Sequence, residues 1–308
     1  GLLAAATCVV LGVLPALRAT RIDPMPAINS GGRAMTTDRR RFAAERSIVI
    51  VQIAMSVVLL VTGLLFVRSF RNLITFDPGI RQGGITIVRV DYQNLRLSPE
   101  RLLDFQRELL AEVSAIPGVE DAGTTSNTPL LGSSWGHAIE VGPVKDGAQF
   151  TWVSPGYFEA TGIPLIEGRN FTFRDTQQSP RVAVVNQAFV RRFASGASIL
   201  GQALRTGAEP RYPATVYEIV GVIPDTQYNS LRGDPPPMVF APDTQHPAPR
   251  PSSAIMVYSA AAPSLIGPTI KRTMAAKYPG IYFDFLDFQA TVRGGLVRER
   301  MLAILAAF

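Results

Sequence analysis

The chain has 308 residues, is 47% hydrophobic and has a mean hydropathy of +0.17, too apolar for a disordered protein and long enough for one or two ordinary domains. Its net charge is +6, but Arg18, Arg21, Arg33, Arg39, Arg40, Arg41 and Arg46 face only Asp23, Asp38 and Glu45 between Leu17 and Ser47, so most of the excess is local. A near-balanced remainder argues against a broad nucleic-acid surface, and one cysteine, Cys8, permits neither a disulfide framework nor a cysteine metal cluster within the chain.

The chain opens on "GLLAAATCVVLGVLPAL" (1–17), uncharged and apolar, which is expected to be the end of a transmembrane helix. A signal peptide is the competing reading, opposed by the lack of a basic region before the run and of a small-x-small site after it. The basic segment 18–46 follows, and Pro15, Pro24 and Pro26 prevent one continuous helix through its first part. Residues 47–67, "SIVIVQIAMSVVLLVTGLLFV", are uncharged over a length that as a helix spans about 30 Å, one bilayer core. Arginines concentrated between two such spans place the loop, with Arg18, Arg21, Arg39, Arg40, Arg41 and Arg46, in the cytoplasm. Residues 72–297 then lie outside it, and "RERMLAILAAF" (298–308) begins the next span, so the chain reads as part of a longer protein. Gln52, Ser56 and Gly63 fall on one side of the 47–67 helix, a candidate packing face for another helix; a single tolerated Gln in a Leu/Val helix explains the same residues.

Beyond the span the pattern becomes that of an α+β domain flanked by transmembrane α-helices. "ITIVRVDY" (85–92) reads as a strand, and a helix starting at Ser98 with Pro99 in its first turn puts Leu102, Phe105, Leu109, Val113 and Ile116 on one face. Pro117-Gly118 ends it, before a weaker strand in 119–128. The order recurs late: a strand at 254–260, a helix over 264–277 stopped by Pro279-Gly280, and a strand at 281–288. Two β-α-β units therefore enclose a mostly β insertion, expected over 151–242. The insertion includes "RVAVVNQAFVRRF" (181–193), a strand running into a short helix, and "TVYEIVGVI" (215–223), a strand with Val216, Ile219 and Val222 only partly alternating.

Three ordered blocks, "TWVSPGYFEATGIPLIEGRNFTFRDT" (151–176), "VAVVNQAFVRRF" (182–193) and "YEIVGVIPDTQYNSLRGDPPPMVFAP" (217–242), resemble the periplasmic core domain of MacB-like, FtsX-superfamily ABC permeases. "PALRATRIDPMPAI" (15–28) is similar to the exit motif after the last helix of an FtsX-type permease half, and its place before the domain resembles duplicated permeases with two halves in tandem. The resemblance implies a non-enzymatic permease subunit of an ABC-type export or mechanotransmission system in the bacterial inner membrane. It implies a separate cytoplasmic ATPase as partner, contact with the bilayer, and room for a periplasmic partner protein. A membrane-anchored sensor or binding module without an ATPase partner is the alternative.

Enzymatic chemistry finds little footing. There is no GxxxxGK[ST] loop for ATP phosphates and no GxGxxG after a strand, so no cofactor is expected. The two histidines, His137 and His246, lie outside HExxH; a metal shared by His137 and Glu140 lacks a third ligand, so His137 is expected on the surface or in a turn and His246 in a loop. No GxSxG elbow occurs, and Asp104 and Glu108 read as the solvated side of a helix. No nucleic-acid partner, catalytic residue or metal ligand is expected. Trp152, Tyr157 and Phe158, around the turn 154–156, read as an aromatic cluster packed beneath it.

Overall fold

The computed structural model describes residues 35–74, 78–131, 135–194, 198–228 and 233–294. The chain divides into two compact units, Gly1–Thr75 and Phe76–Phe308. The expected spans at 1–17 and 298–308, and Arg18 and Arg21, lie outside the described residues.

In the first unit one helix, α1, runs Met35–Ile74. The last 12 residues, 35–46, of the basic segment expected as a loop are thus helical: after Gly32 no proline or glycine occurs until Gly63, and Arg, Ala, Glu and Met are good helix formers. Arg39, Arg40, Arg41 and Arg46 lie in its first third. Arg46–Leu65, with mean hydropathy 2.7 and none of it buried, is long and apolar enough to cross a membrane. Gln52, Ser56 and Gly63 are exposed on this helix. The Ser56 hydroxyl donates to the Gln52 carbonyl (2.9 Å) and Thr62 to Val58 (2.7 Å), so these two hydroxyls need no second helix to satisfy them in hydrocarbon.

The second unit is built on β1 (Ile85–Asp91), α2 (Pro99–Ser114), β2 (Asp121–Thr125), β10 (Ser252–Tyr258), α5 (Pro263–Lys277) and β11 (Tyr282–Asp287). The two β-α-β units interleave: the strand order is β11-β1-β10-β2, every neighbour antiparallel, a split β-α-β arrangement. One face, through Val88, Val90, Ile255 and Val257, packs on α2 and α5; the predicted α2 positions Leu102, Phe105, Leu109, Val113 and Ile116 are all buried there.

The insertion is larger than expected, filling the chain from 126 to 251. It holds β3 (Gly136–Val141), β4 (Val144–Val153), α3 (Tyr157–Thr161), β5 (Glu167–Gly168), β6 (Val182–Asn186), α4 (Gln187–Phe193), β7 (Ala203–Thr206), β8 (Val216–Ile223) and β9 (Met238–Pro242). The 151 boundary cuts through β4, because "VKDGAQFTWV" carries charge and glycine along its first half and hides its strand character. Pairings run β4-β3-β7-β8-β6-β9, and β9 returns to β4 in parallel, closing a six-stranded barrel. Its interior holds Ile139, Phe150, Trp152, Val185, Leu204 and Tyr217, with Phe189 and Phe193 of α4 stacked at 4.2 Å. A register shift between Ala183 and Val184 against β8 explains that strand's imperfect alternation: Tyr217, Ile219 and Val222 face the interior, whereas Val216 is 48% exposed.

A second apolar cluster joins barrel and sheet. Ile85, Ile87 and Met256 from the sheet meet Val184, Ile223 and Phe240 from the barrel's outer face, with Tyr157 and Phe158 of α3 between. Within it, hydroxyls are paired: Tyr228 lies 3.2 Å from Tyr157 and 3.0 Å from Thr125, and donates to the Asn127 carbonyl at 2.7 Å.

The loop after β5 is pinned by Arg169, which donates to both oxygens of buried Asp175 at 2.9 and 3.0 Å. Burial pushes the Asp175 pKa up, but Arg169 and the Thr172 N–H outweigh it and hold the carboxyl below its ordinary value. Arg169→Ala would leave that carboxylate without its counter-charge; with Arg169 half exposed and partly screened, the expected loss is about 2 kcal/mol at pH 7, read as a shifted urea midpoint. Because the folded pKa is depressed, this contribution is present above the unfolded carboxylate range near pH 4 and disappears as acid protonates the folded carboxyl.

Candidate functional site

The uncovered end of the sheet's barrel-side face makes a cleft. On β1 the residues of that face run Ile85, Ile87, Arg89, Asp91; on β10 they run Met256, Ala254, Ser252; on β11, Leu286, Asp284, Tyr282. Each strand turns from apolar to polar at about the same level, where the barrel and α3 cease to cover it. The polar half forms the floor of a cavity of 680 Å³. Arg89 donates through Nε to Asp284 at 2.9 Å, and Asp91 accepts from the Gln93 N–H at 3.0 Å.

The facing wall is aromatic and comes from the insertion. Trp135 stacks on Trp152 at 5.0 Å, Trp152 on Tyr212 at 5.4 Å, and the His246 ring lies 4.1 Å from Trp152. Trp135 donates its indole N–H to Glu209 at 3.2 Å, which fixes the ring's orientation. At the margin of the cavity, on the α2 side of β2, Asp243 accepts from the Thr124 hydroxyl at 2.5 Å. Its carboxyl pKa is raised by burial, against the Thr124 and Thr244 hydrogen bonds and the Arg107 charge.

His246 lies in a loop as expected but is buried there, whereas His137 departs from its expected surface or turn position. His246 closes a one-turn 3-10 segment yet is 8% exposed; burial first, then Arg250 and Arg211, lower its pKa to about 4. His137 is buried on β3, its pKa lowered by burial against the pull of Glu209, whose carboxylate lies 3.4 Å from Nδ1. Glu140, three residues on, is exposed on the opposite face of the strand, so the two cannot share a metal. Asp104 and Glu108 do lie on the solvated side of α2, both within 3.8 Å of Arg101. Trp152, Tyr157 and Phe158 are buried as expected, but Trp152 points into the barrel and the other two into the barrel–sheet junction. The sequence-predicted positions on α1 take no part in the cleft, and Tyr212 and His246 were legible only as loop residues; the shared apolar-to-polar step on β1, β10 and β11 was the available signal.

A sequence profile described as the MacB-like periplasmic core domain matches residues 47–270. Over 86 residues the chain is 33% identical to a protein of Pseudomonas entomophila (strain L48) described as "Probable export ATP-binding/permease protein MacB". The match covers 28% of this chain and 13% of that protein, so the chain spans only a small part of that relative. Among solved structures, the periplasmic region of MacB from Actinobacillus actinomycetemcomitans aligns over 72% of this chain and 97% of its own, at 12% identity and a TM-score of 0.47. The extracellular domain of the noncanonic ABC-type transporter YknZ from Gram-positive bacteria aligns over 64% of this chain and 99% of its own, at 13% identity and a TM-score of 0.41.

Proposed function

Since the chain belongs to the MacB-like periplasmic core domain family, we propose that it is the permease portion of an ABC-type export or mechanotransmission system in a bacterial inner membrane, non-enzymatic itself and coupled to a separate cytoplasmic ATPase. The arginine-rich stretch around Arg39–Arg41 stays on the cytoplasmic side, α1 crosses, and residues 72–297 lie in the periplasm.

One observation carries the coupling: the segments entering and leaving the second unit are rooted in the same core. Ile80, six residues past the end of α1, and Phe288 and Val292, in the helical stretch 288–294, are all buried in the cluster that joins sheet and barrel. The incoming chain is also tied by Gln227 donating to Pro78 and Arg81 donating to Thr161, each at 2.8 Å; the outgoing helix starts on Asp287, which accepts from Gln289 (2.8 Å) and Ala290 (3.2 Å). Displacement of either segment therefore loads the junction on which both layers rest, not a peripheral loop.

A flexible Gly-Ser insertion after Asn72 is expected to leave ATP hydrolysis by the partner intact while abolishing transport or signalling; unchanged function with the insert would refute rigid coupling. The aromatic cleft favours a second reading, a periplasmic binding module without a motor. Affinity purification from native membranes separates the two: a stoichiometric nucleotide-binding subunit supports the permease, and its absence supports the binding module.

A further inference from the structure

The cleft has a chemistry that coupling does not use. We propose that it binds a neutral saccharide, one sugar face lying against the ring wall at Trp135 and Tyr212 and the hydroxyls reaching the floor formed by β1, β10 and β11. Its volume falls in the range of small-ligand sites, about 300–1,000 Å³.

Wall and floor demand a ligand with two unlike sides. An aromatic ring carries negative charge on its face, which attracts the slightly positive C–H bonds lining one side of a pyranose. Sugar hydroxyls both donate and accept, and the floor offers acceptors at Asp91 and Asp284, donors at Arg89, and a hydroxyl at Ser252. A wholly apolar ligand would strip water from these groups and return nothing.

Neutrality follows from the charge balance. Arg89 and Arg250 stand against Asp91 and Asp284, and the third carboxyl, Asp243, is already engaged by the Thr124 hydroxyl. A charged ligand would meet no net field to compensate its lost hydration. An extended peptide adding a strand is disfavoured because β1 and β10, which form the middle of the floor, are already paired on both sides. The inference concerns the cleft alone and is independent of coupling to an ATPase.

Both tryptophans of the chain, Trp135 and Trp152, line the cleft, so intrinsic emission is a local probe. The test titrates the full chain, in a non-glycosidic detergent, with maltotetraose, cellotetraose and chitotetraose, and in proteoliposomes with the same sugars carried on lipid. Tetralysine and tetragalacturonate serve as charged comparators. The expected result is a saturable change with at least one neutral sugar, weakened about tenfold by Tyr212→Ala and by Tyr282→Ala and unaffected by Leu265→Ala on α5. Tyr282 is 67% exposed, so its removal leaves the core intact. A response to a free tetrasaccharide assigns a soluble source and a response only to the lipid-borne form assigns a glycolipid; both support the proposal. It is overturned by no saturable response to any neutral sugar up to about 10 mM, by a response to the charged comparators alone, or by a sugar response that survives both tyrosine substitutions.

Discussion

Gly123→Ala is expected to destabilise the second unit by about 3 kcal/mol or more. Gly123 lies in the middle of β2, opposite Met256 of β10. A Cβ there would stand 2.3 Å from the Tyr157 Cα, 2.5 Å from its N and 2.9 Å from the Gly156 carbonyl carbon. These are backbone atoms, so no rotamer change makes room, and α3 must lift from the strand. That movement is opposed by the lacing between the two: Ser154 donates from its N–H to the Thr124 carbonyl at 3.1 Å, and Thr124 N–H donates to the Ser154 hydroxyl at 2.7 Å. Yielding would pull Tyr157 and Phe158 out of the barrel–sheet junction. Gly147→Ala, on the β3–β4 hairpin with nothing within 4 Å of the added carbon, is the matched control. Urea unfolding followed by tryptophan emission reads this unit alone, since both tryptophans lie in it. A midpoint for Gly123→Ala within about 0.5 kcal/mol of the Gly147→Ala value would refute the close approach.

The parts of this fold that were legible are those in which one physical signal dominates. On α2 the face Leu102, Phe105, Leu109, Val113, Ile116 obeys a single period, and Pro99 and Pro117-Gly118 mark its ends. The stretch Arg46–Leu65 of α1, long and apolar enough to cross a membrane, is legible from its near absence of charge alone. The insertion was less so, because barrel closure depends on long-range pairing that leaves no local trace. The burial of β9 on both faces, the bulge on β8 and the charged first half of β4 each break the alternation by which strands are recognised. The cleft was hidden for a related reason. Its floor comes from strands more than 150 residues apart in sequence, and its wall from loop positions, Tyr212 and His246, whose burial is decided by what the fold brings over them. His246 sits among Pro247, Pro249 and Pro251, which reads as an exposed loop, yet its ring packs on Trp152 and accepts the Ala248 N–H.

That burial predicts how the protein responds to acid. His246 accepts the Ala248 N–H on Nδ1 at 3.0 Å and packs its ring on Trp152, and its pKa is lowered from the ordinary 6.5 to about 4. Between these values the unfolded chain binds a proton that the folded chain refuses, so stability must fall as pH is lowered through this window; the full difference is about 3 kcal/mol, with most of it lost by pH 4.5. Above pH 7 both states are neutral and the residue contributes no slope. Other groups act in or near the same range. His137, also lowered by burial, adds to the acid loss. Asp243, raised by burial, opposes it, because protonation favours the folded state. Asp175, lowered by Arg169, gives way only below about pH 4. His246→Asn isolates the first of these, since its side-chain oxygen can still accept from Ala248 while nothing titrates. The expected outcome is a wild-type stability that drops between pH 7 and pH 4.5 by about 2.5 kcal/mol more than that of the variant, measured from urea midpoints on tryptophan emission. Parallel pH profiles for the two proteins would mean that the ring is already reached by water in the folded state, and that Trp152 and the proline-rich turn do not seal it.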